Sequence, residues 1–236
     1  MRGITMKIVL RIGGSIIGFP LNPFILKSYA EQISKLKEEG HTFVIVVGGG
    51  PLSRKYVEVA EALGLSDEDK DHLAILVSRL NAELLVKKLK GIAPNVVSSS
   101  ISQLTRLLRV SSITVMGGLK PGMTTDSVAA MVAKAIKADL LVKATDQEGV
   151  YTKDPKVYPE AKKIDSLTFD KLSNMSKARH KPGMHSILDP KAVRILRDSG
   201  IKTIILNGFK PEGIGLAIRG ERIGTIISNE KVQKNG

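Results

Sequence analysis

The chain has 236 residues, which suits one large α/β domain or two small ones sharing a core, and 42% of them are hydrophobic, enough for a substantial interior and against a disordered chain. It has no cysteine, which excludes disulfides and thiolate chemistry and fits a reducing compartment. The net charge of +13 is spread along the whole chain. Only 4% of residues are aromatic and none is tryptophan, so the charge fits a site for several phosphates better than a base-stacking nucleic-acid surface.

Short β-branched runs alternate with longer helical patterns. KIVLRI (7–12) reads as a buried strand. Residues 22–40 form an amphipathic helix with Ile25, Tyr29, Ile33 and Leu36 on one face and Gly40 as its stop. FVIVV (43–47) is the second strand, followed by helical stretches at 53–63 and 69–90. The second of these is expected to turn Leu73, Leu76, Val77, Leu80, Leu84 and Leu85 inward. ITVM (113–116) and DLLVKA (139–144) are further strands, with the alanine-rich helix 125–138 between them. Residues 150–166 read as an exposed flap or hairpin. A helix at 189–199 precedes the strand KTIILN (202–207), and 213–228 reads as two short strands or as a helical turn and a strand. This alternation predicts an open, mainly parallel sheet sandwiched by helices, with no linker that divides residues 1–236. No run approaches the roughly 20 apolar residues of a membrane helix. The first residues lack the long apolar segment of a secretory signal. His41, His72, His180 and His185 have no metal-ligand spacing and read as structural or surface residues.

Three predicted strands end in glycine: Gly13–Gly14, Gly48–Gly49–Gly50 and Gly117–Gly118. In a parallel sheet such ends share one edge, where ligands bind. Glycine permits tight turns and lets an anion approach backbone N–H groups, and a following helix adds its positive end. The spacing is neither a P-loop nor a dinucleotide fingerprint. Arg11, just before the first turn, and Arg54, one turn past the second, could grip phosphate oxygens. In KPGMTTDSVAA (120–130), Pro121 and Gly122 make a turn, and Thr124, Thr125 and Asp126 open a helix. One of these three would serve as the helix cap. Asp126 would otherwise orient basic groups or help hold a metal ion.

Taken in order, IGGS, GGGPLSRKY, DHLAILVSRLNA, MGGLKPGMTTDSVAA and ATDQEGVYTKDP make the chain similar to the archaeal-type uridylate (UMP) kinases of the amino acid kinase superfamily. The likeness runs from about residue 7 to residue 228. It implies the three-layer αβα amino acid kinase fold, with UMP in the N-terminal half and ATP in the C-terminal half. It also implies phosphoryl transfer from ATP to UMP within pyrimidine nucleotide biosynthesis, in a cytoplasmic homo-hexamer. Mg2+ would be held mainly through the ATP phosphates, and neither nucleic acid nor membrane is an expected partner. Relatives commonly assemble from dimers, with the 22–40 helix a contributor to an interface.

Carried over residue by residue, Gly14, Ser15, Gly49 and Arg54 are expected to contact the phosphates of ATP. Thr145, Tyr151 and Asp154 are expected to contact its nucleoside. Gly48, Asp71, Gly118, Leu119, Lys120, Pro121, Gly122, Met123, Thr124 and Thr125 are expected to bind UMP, with Asp71 at the ribose hydroxyls. Arg11 and Lys143 are the expected catalytic cations, and Asp126 orients them or the metal. Two departures stand out: Arg11 where many relatives have lysine, and Gln147-Glu148-Gly149-Val150 where V-D-G-V is usual. The competing readings are a kinase of the same fold acting on acetylglutamate, carbamate or isopentenyl phosphate, a nucleotide-binding regulator without turnover, and a polyanion-binding protein.

Overall fold

The computed structural model describes residues 5–18, 20–178 and 187–230. In chain order these form β1 (Lys7–Ile12), α1 (Gly14–Ile17), α2 (Pro23–Glu38), β2 (Thr42–Val47), α3 (Gly50–Ala62) and α4 (Asp67–Lys88). Next come β3 (Val97–Ser98), α5 (Ile101–Leu107), β4 (Ile113–Met116), α6 (Thr125–Ile136) and β5 (Leu140–Thr145). The C-terminal part contains β6 (Val150–Tyr151), β7 (Lys163–Ile164), β8 (Ser166–Thr168), α7 (Phe169–Ala178), α8 (Pro190–Ser199), β9 (Lys202–Asn207), α9 (Glu212–Ile218) and β10 (Thr225–Ser228). His180 and His185 lie outside the described residues.

Eight strands form one sheet in the order β3-β4-β2-β1-β5-β9-β10-β8. Every pairing is parallel except β10 with β9. The central strands are apolar on both sides because helices cover both faces, which is why β2 is buried from Phe43 to Val47. From β1 the chain leads to β2 on one side, and the later crossover through α6 returns to β5 on the other. The direction of winding therefore changes at β1, and a crevice opens beyond the carboxyl ends of these strands. β6 and β7 form a separate antiparallel hairpin inside the stretch read as a flap or hairpin.

Side chains alternate across the sheet. Ile8, Leu10 and Ile12 of β1 pack on the side of α2, α4 and α9, in a core that includes Tyr29, Ile33, Leu36, Leu85 and Ala217. Val9 faces the other way, with Leu141 and Val44, onto the small residues of α6 and the apolar sides of α7 and α8. α2 follows its sequence pattern: Asn22 caps it through Phe24 and Ile25 N–H, Pro23 opens it, and Ile25, Tyr29, Ile33 and Leu36 are buried. The segment 213–228 resolves as the helical turn and strand, α9 and β10.

The inner face expected for α4 needs correction. Val77 and Leu85 are buried and Leu73 is half-buried, but Leu76, Leu80 and Leu84 are exposed. Ile75, Ser78, Asn81, Ala82 and Val86 are buried instead. The helix carries leucines on two sides. Periodicity cannot tell the side that meets the sheet from the side that does not, and here the sheet side is partly polar because it borders the site.

Candidate active site

Three glycine turns meet at the carboxyl edge of the sheet. The β1–α1 and β2–α3 turns touch backbone to backbone: a Cβ on Gly14 would lie 2.0 Å from the Gly50 nitrogen. Gly50 is also left-handed, at φ +66, where a Cβ would come within 2.3 Å of the Gly14 carbonyl group. This contact explains the run of glycines after β2. α4 then holds the second and third turns from the side. Asn81 Nδ2 donates to the carbonyls of Gly48 and Gly49 at 3.0 and 3.2 Å. Ser78 Oγ accepts from Gly118 N–H at 2.7 Å and donates to the Ile75 carbonyl at 2.7 Å. Arg79 donates to the Gly118 and Leu119 carbonyls. Asp71, at the amino-terminal end of α4, accepts from Gly122 N–H at 2.6 Å.

These tethers enclose a cleft of about 450 Å³. Among the residues expected to contact UMP, Asp71, Gly118, Lys120, Gly122, Met123, Thr124 and Thr125 line it, whereas Gly48, Leu119 and Pro121 do not. Gly49, expected at the ATP phosphates, lines it too, beside Ser53, Ala74, Ile75 and Ser78. Gly14, Ser15 and Arg54 lie outside the lining, with Arg54 exposed on the first turn of α3.

The charged centre follows from strand register. Arg11 pairs with Lys143 across β1 and β5, so the two side chains share a face and continue the Val9–Leu141 row to the sheet edge. There the first turn of α6 presents Asp126 between them. Lys143 Nζ donates to Asp126 Oδ2 at 2.7 Å and to the Ile187 carbonyl at 2.5 Å. Arg11 Nε lies 2.8 Å from Asp126 Oδ1, but out of line for a hydrogen bond, so this contact is purely ionic. Arg11 Nη2 reaches Thr125 Oγ1 at 3.0 Å. Burial pushes the Asp126 carboxyl upward, but the charges of Arg11 and Lys143 outweigh it and hold the group below the ordinary carboxylate range. Burial holds the Lys143 ammonium below the usual lysine range. Asp126 opposes that shift and Arg11 adds to it.

Thr124, not Asp126, caps α6: its hydroxyl oxygen accepts from Ser127 N–H at 3.1 Å. That hydroxyl and the Ser127 hydroxyl both donate to Asp189 Oδ2, each at 2.5 Å. Asp189 also caps α8 through Lys191 N–H. Both Asp126 oxygens face cations, so of its two expected uses the arrangement matches the orienting of basic groups.

Thr145, Tyr151 and Asp154 lie apart from the cleft, beyond β5 and in the hairpin segment. Thr145 ends β5. Asp154 accepts from Lys156 N–H at 2.9 Å, and its carbonyl accepts from Val157 and Tyr158 N–H. Glu148, the departure from the usual aspartate, accepts from Asn207 Nδ2 at 2.8 Å and Lys210 Nζ at 2.9 Å, which ties this turn to the end of β9. These two bonds hold its carboxyl below the ordinary range.

Sequence reasoning missed Ser53, Ser78, Arg79, Asn81 and Asp189. The one available signal was Asp-Pro at a helix start, because Ser78, Arg79 and Asn81 sit in an α4 with many other polar residues.

The chain matches the family described as the Amino acid kinase family over residues 6–207. It is 42% identical to the uridylate kinase of Methanocella arvoryzae, over 94% of this chain and 99% of that one. It is 38% identical to the uridylate kinase of Hyperthermus butylicus, over 94% and 97%. The crystal structure of uridylate kinase from Archaeoglobus fulgidus superposes with a TM-score of 0.86 at 36% identity, covering 94% of this chain and 100% of that one. With this sheet order and these full-length likenesses, the chain belongs to the amino acid kinase family, in its uridylate kinase branch.

Proposed function

We propose that the protein transfers the γ-phosphoryl group of ATP to UMP, giving UDP and ADP, as a step of pyrimidine nucleotide biosynthesis. The observation that carries this reading is the Arg11–Asp126–Lys143 centre at the sheet edge, next to a cleft bounded by glycine turns. The acceptor is already an anion. Transfer therefore needs no strong base: it needs in-line placement and neutralisation of charge on the moving group. A phosphate oxygen of UMP attacks the γ-phosphorus, the bond to the β-phosphate oxygen breaks, and ADP leaves with that electron pair.

Arg11 and Lys143 are the cations for the transferring oxygens, and Asp126 fixes both in direction and keeps Lys143 charged. UMP occupies the cleft, with Asp71 at its ribose and the 118–125 segment around it. Gly48 and its neighbours supply backbone contacts. Gly14, Ser15, Gly49 and Arg54 contact the ATP phosphates, and Thr145, Tyr151 and Asp154 its nucleoside. ATP enters as its magnesium complex, the ion carried by its phosphates as part of the substrate. The 1–236 chain then works as one domain, with its N-terminal half serving UMP and its C-terminal half serving ATP.

A cytoplasmic homo-hexamer completes the reading. What supports assembly is a set of exposed apolar side chains: Tyr56 and Val59 on α3, Leu63 just past its end, and Leu76 and Leu80 on α4. On α2, the helix expected at an interface, the only large apolar side chain so exposed is Phe24. No helix among the described residues is long and apolar enough to cross a membrane.

The test is ADP formation from ATP with UMP, beside CMP, dUMP, acetylglutamate and isopentenyl phosphate. UMP-dependent turnover well above the others is expected. Turnover on another acceptor and none on UMP overturns the reading.

A further inference from the structure

Arg79 is a charged side chain beside the cleft that the proposed chemistry does not use. It lies on α4, half-buried, and among the described residues no carboxylate pairs with it. Its guanidinium instead grips two successive backbone carbonyls: Nε donates to Gly118 at 3.0 Å and Nη2 to Leu119 at 3.1 Å. In a planar trans peptide the carbonyl and the following N–H point in opposite directions. With both carbonyls turned to Arg79, the N–H groups of Leu119 and Lys120 both turn away from it. Among the described residues, neither N–H donates to another backbone group. The flanking donors are already committed: Gly118 N–H to Ser78 and Gly122 N–H to Asp71. Two successive free N–H groups facing one way form a small anion-seeking concavity, and the unneutralised guanidinium behind them adds positive potential. Gly118 and Lys120 line the cleft.

We propose that Arg79 is a positioning residue for the acceptor nucleotide: by holding the Gly118 and Leu119 carbonyls it aims the Leu119 and Lys120 N–H groups at an oxygen of UMP. This rests on the reading that the 118–125 segment holds UMP, and it adds the residue that shapes the segment. A simple fold staple would behave differently, since it would alter stability and both substrates alike.

The experiment uses the full chain with R79A and R79K, measuring KM for UMP and for ATP separately, melting temperature, and the Leu119 and Lys120 amide resonances of 15N-labelled protein on addition of UMP alone. R79A is expected to raise the KM for UMP about tenfold or more while the KM for ATP stays within about twofold. R79K reaches one carbonyl but not both, and is expected to raise the KM for UMP by about threefold or more. The two amide resonances shift with UMP in the unaltered protein and not in the variants. Absence of UMP turnover in the unaltered protein overturns the proposed function itself. With that turnover present, an unchanged KM for UMP, or equal rises for UMP and ATP, overturns the role of Arg79. R79K carries the same decision if R79A does not fold.

Discussion

At the scale of single residues, Asp126 decides how much positive charge the site holds. Replacing it with asparagine leaves Lys143 buried beside Arg11 without its directly bonded anion, only the more distant Asp189 charge remaining, and the amine then sheds its proton rather than unfold the chain. D126N is therefore expected to fold, with kcat lowered about 100-fold or more, the scale of a lost transition-state contact; full activity would reduce Asp126 to a structural role. The sign of its pH dependence follows from its lowered pKa. The ionised carboxylate favours the fold above its ordinary value of 3.8, and that contribution fades as pH falls below 3.8 toward the folded value. Acid unfolding of D126N should accordingly be less steep in that interval. Lys143 titrates below the ordinary 10.5, so the alkaline fall in kcat is expected to begin below that value. A K143R variant, if active, should lose that limb. R54A is expected to lower kcat/KM by about 2–4 kcal/mol through lost charge-assisted contacts, and unchanged kinetics would remove Arg54 from the site.

At the scale of elements, the strands and the glycine turns were legible because local chemistry writes them: β-branched runs for the one, abrupt glycine clusters for the other. The meeting of Arg11 with Lys143 could be foreseen only as two cations, since their pairing depends on which strands become neighbours across 131 intervening residues. α4 was legible as a helix but not in its orientation. The contacts that fix it, from Asp71, Ser78, Arg79 and Asn81, run to backbone groups 32 to 51 positions away and leave no periodic trace. Asp189 was likewise foreseen only as a helix start, because its two hydroxyl partners lie at the cap and in the first turn of α6. A glycine prediction belongs here. G50A forces a left-handed alanine against the Gly14 backbone and is expected to cost about 1–3 kcal/mol or more, read as a lower melting temperature and a weaker phosphate site.

At the scale of the molecule, β1 joins two wings of the sheet by pairing with β2 and with β5, and side chains add further links: Asp126 ties β1 to β5, and Asp189 ties α6 to α8. The Asp189 carboxylate holds the α6 start from α8, and the Ile187 carbonyl holds Lys143. Exposed leucines on α4 carry the expectation for assembly. L76D/L80D is expected to shift the mass measured by light scattering toward smaller species, and an unchanged mass would place the interface elsewhere.

The abutting Gly14 and Gly50 have an evolutionary corollary. When two large side chains collide, shrinking one makes room for the other. Here neither partner has an atom left to remove, so a methyl group arriving at either position finds no remedy in its opposite number. Relief would require moving one crossover away from the other, and that movement would pull apart the edge on which the glycine turns meet.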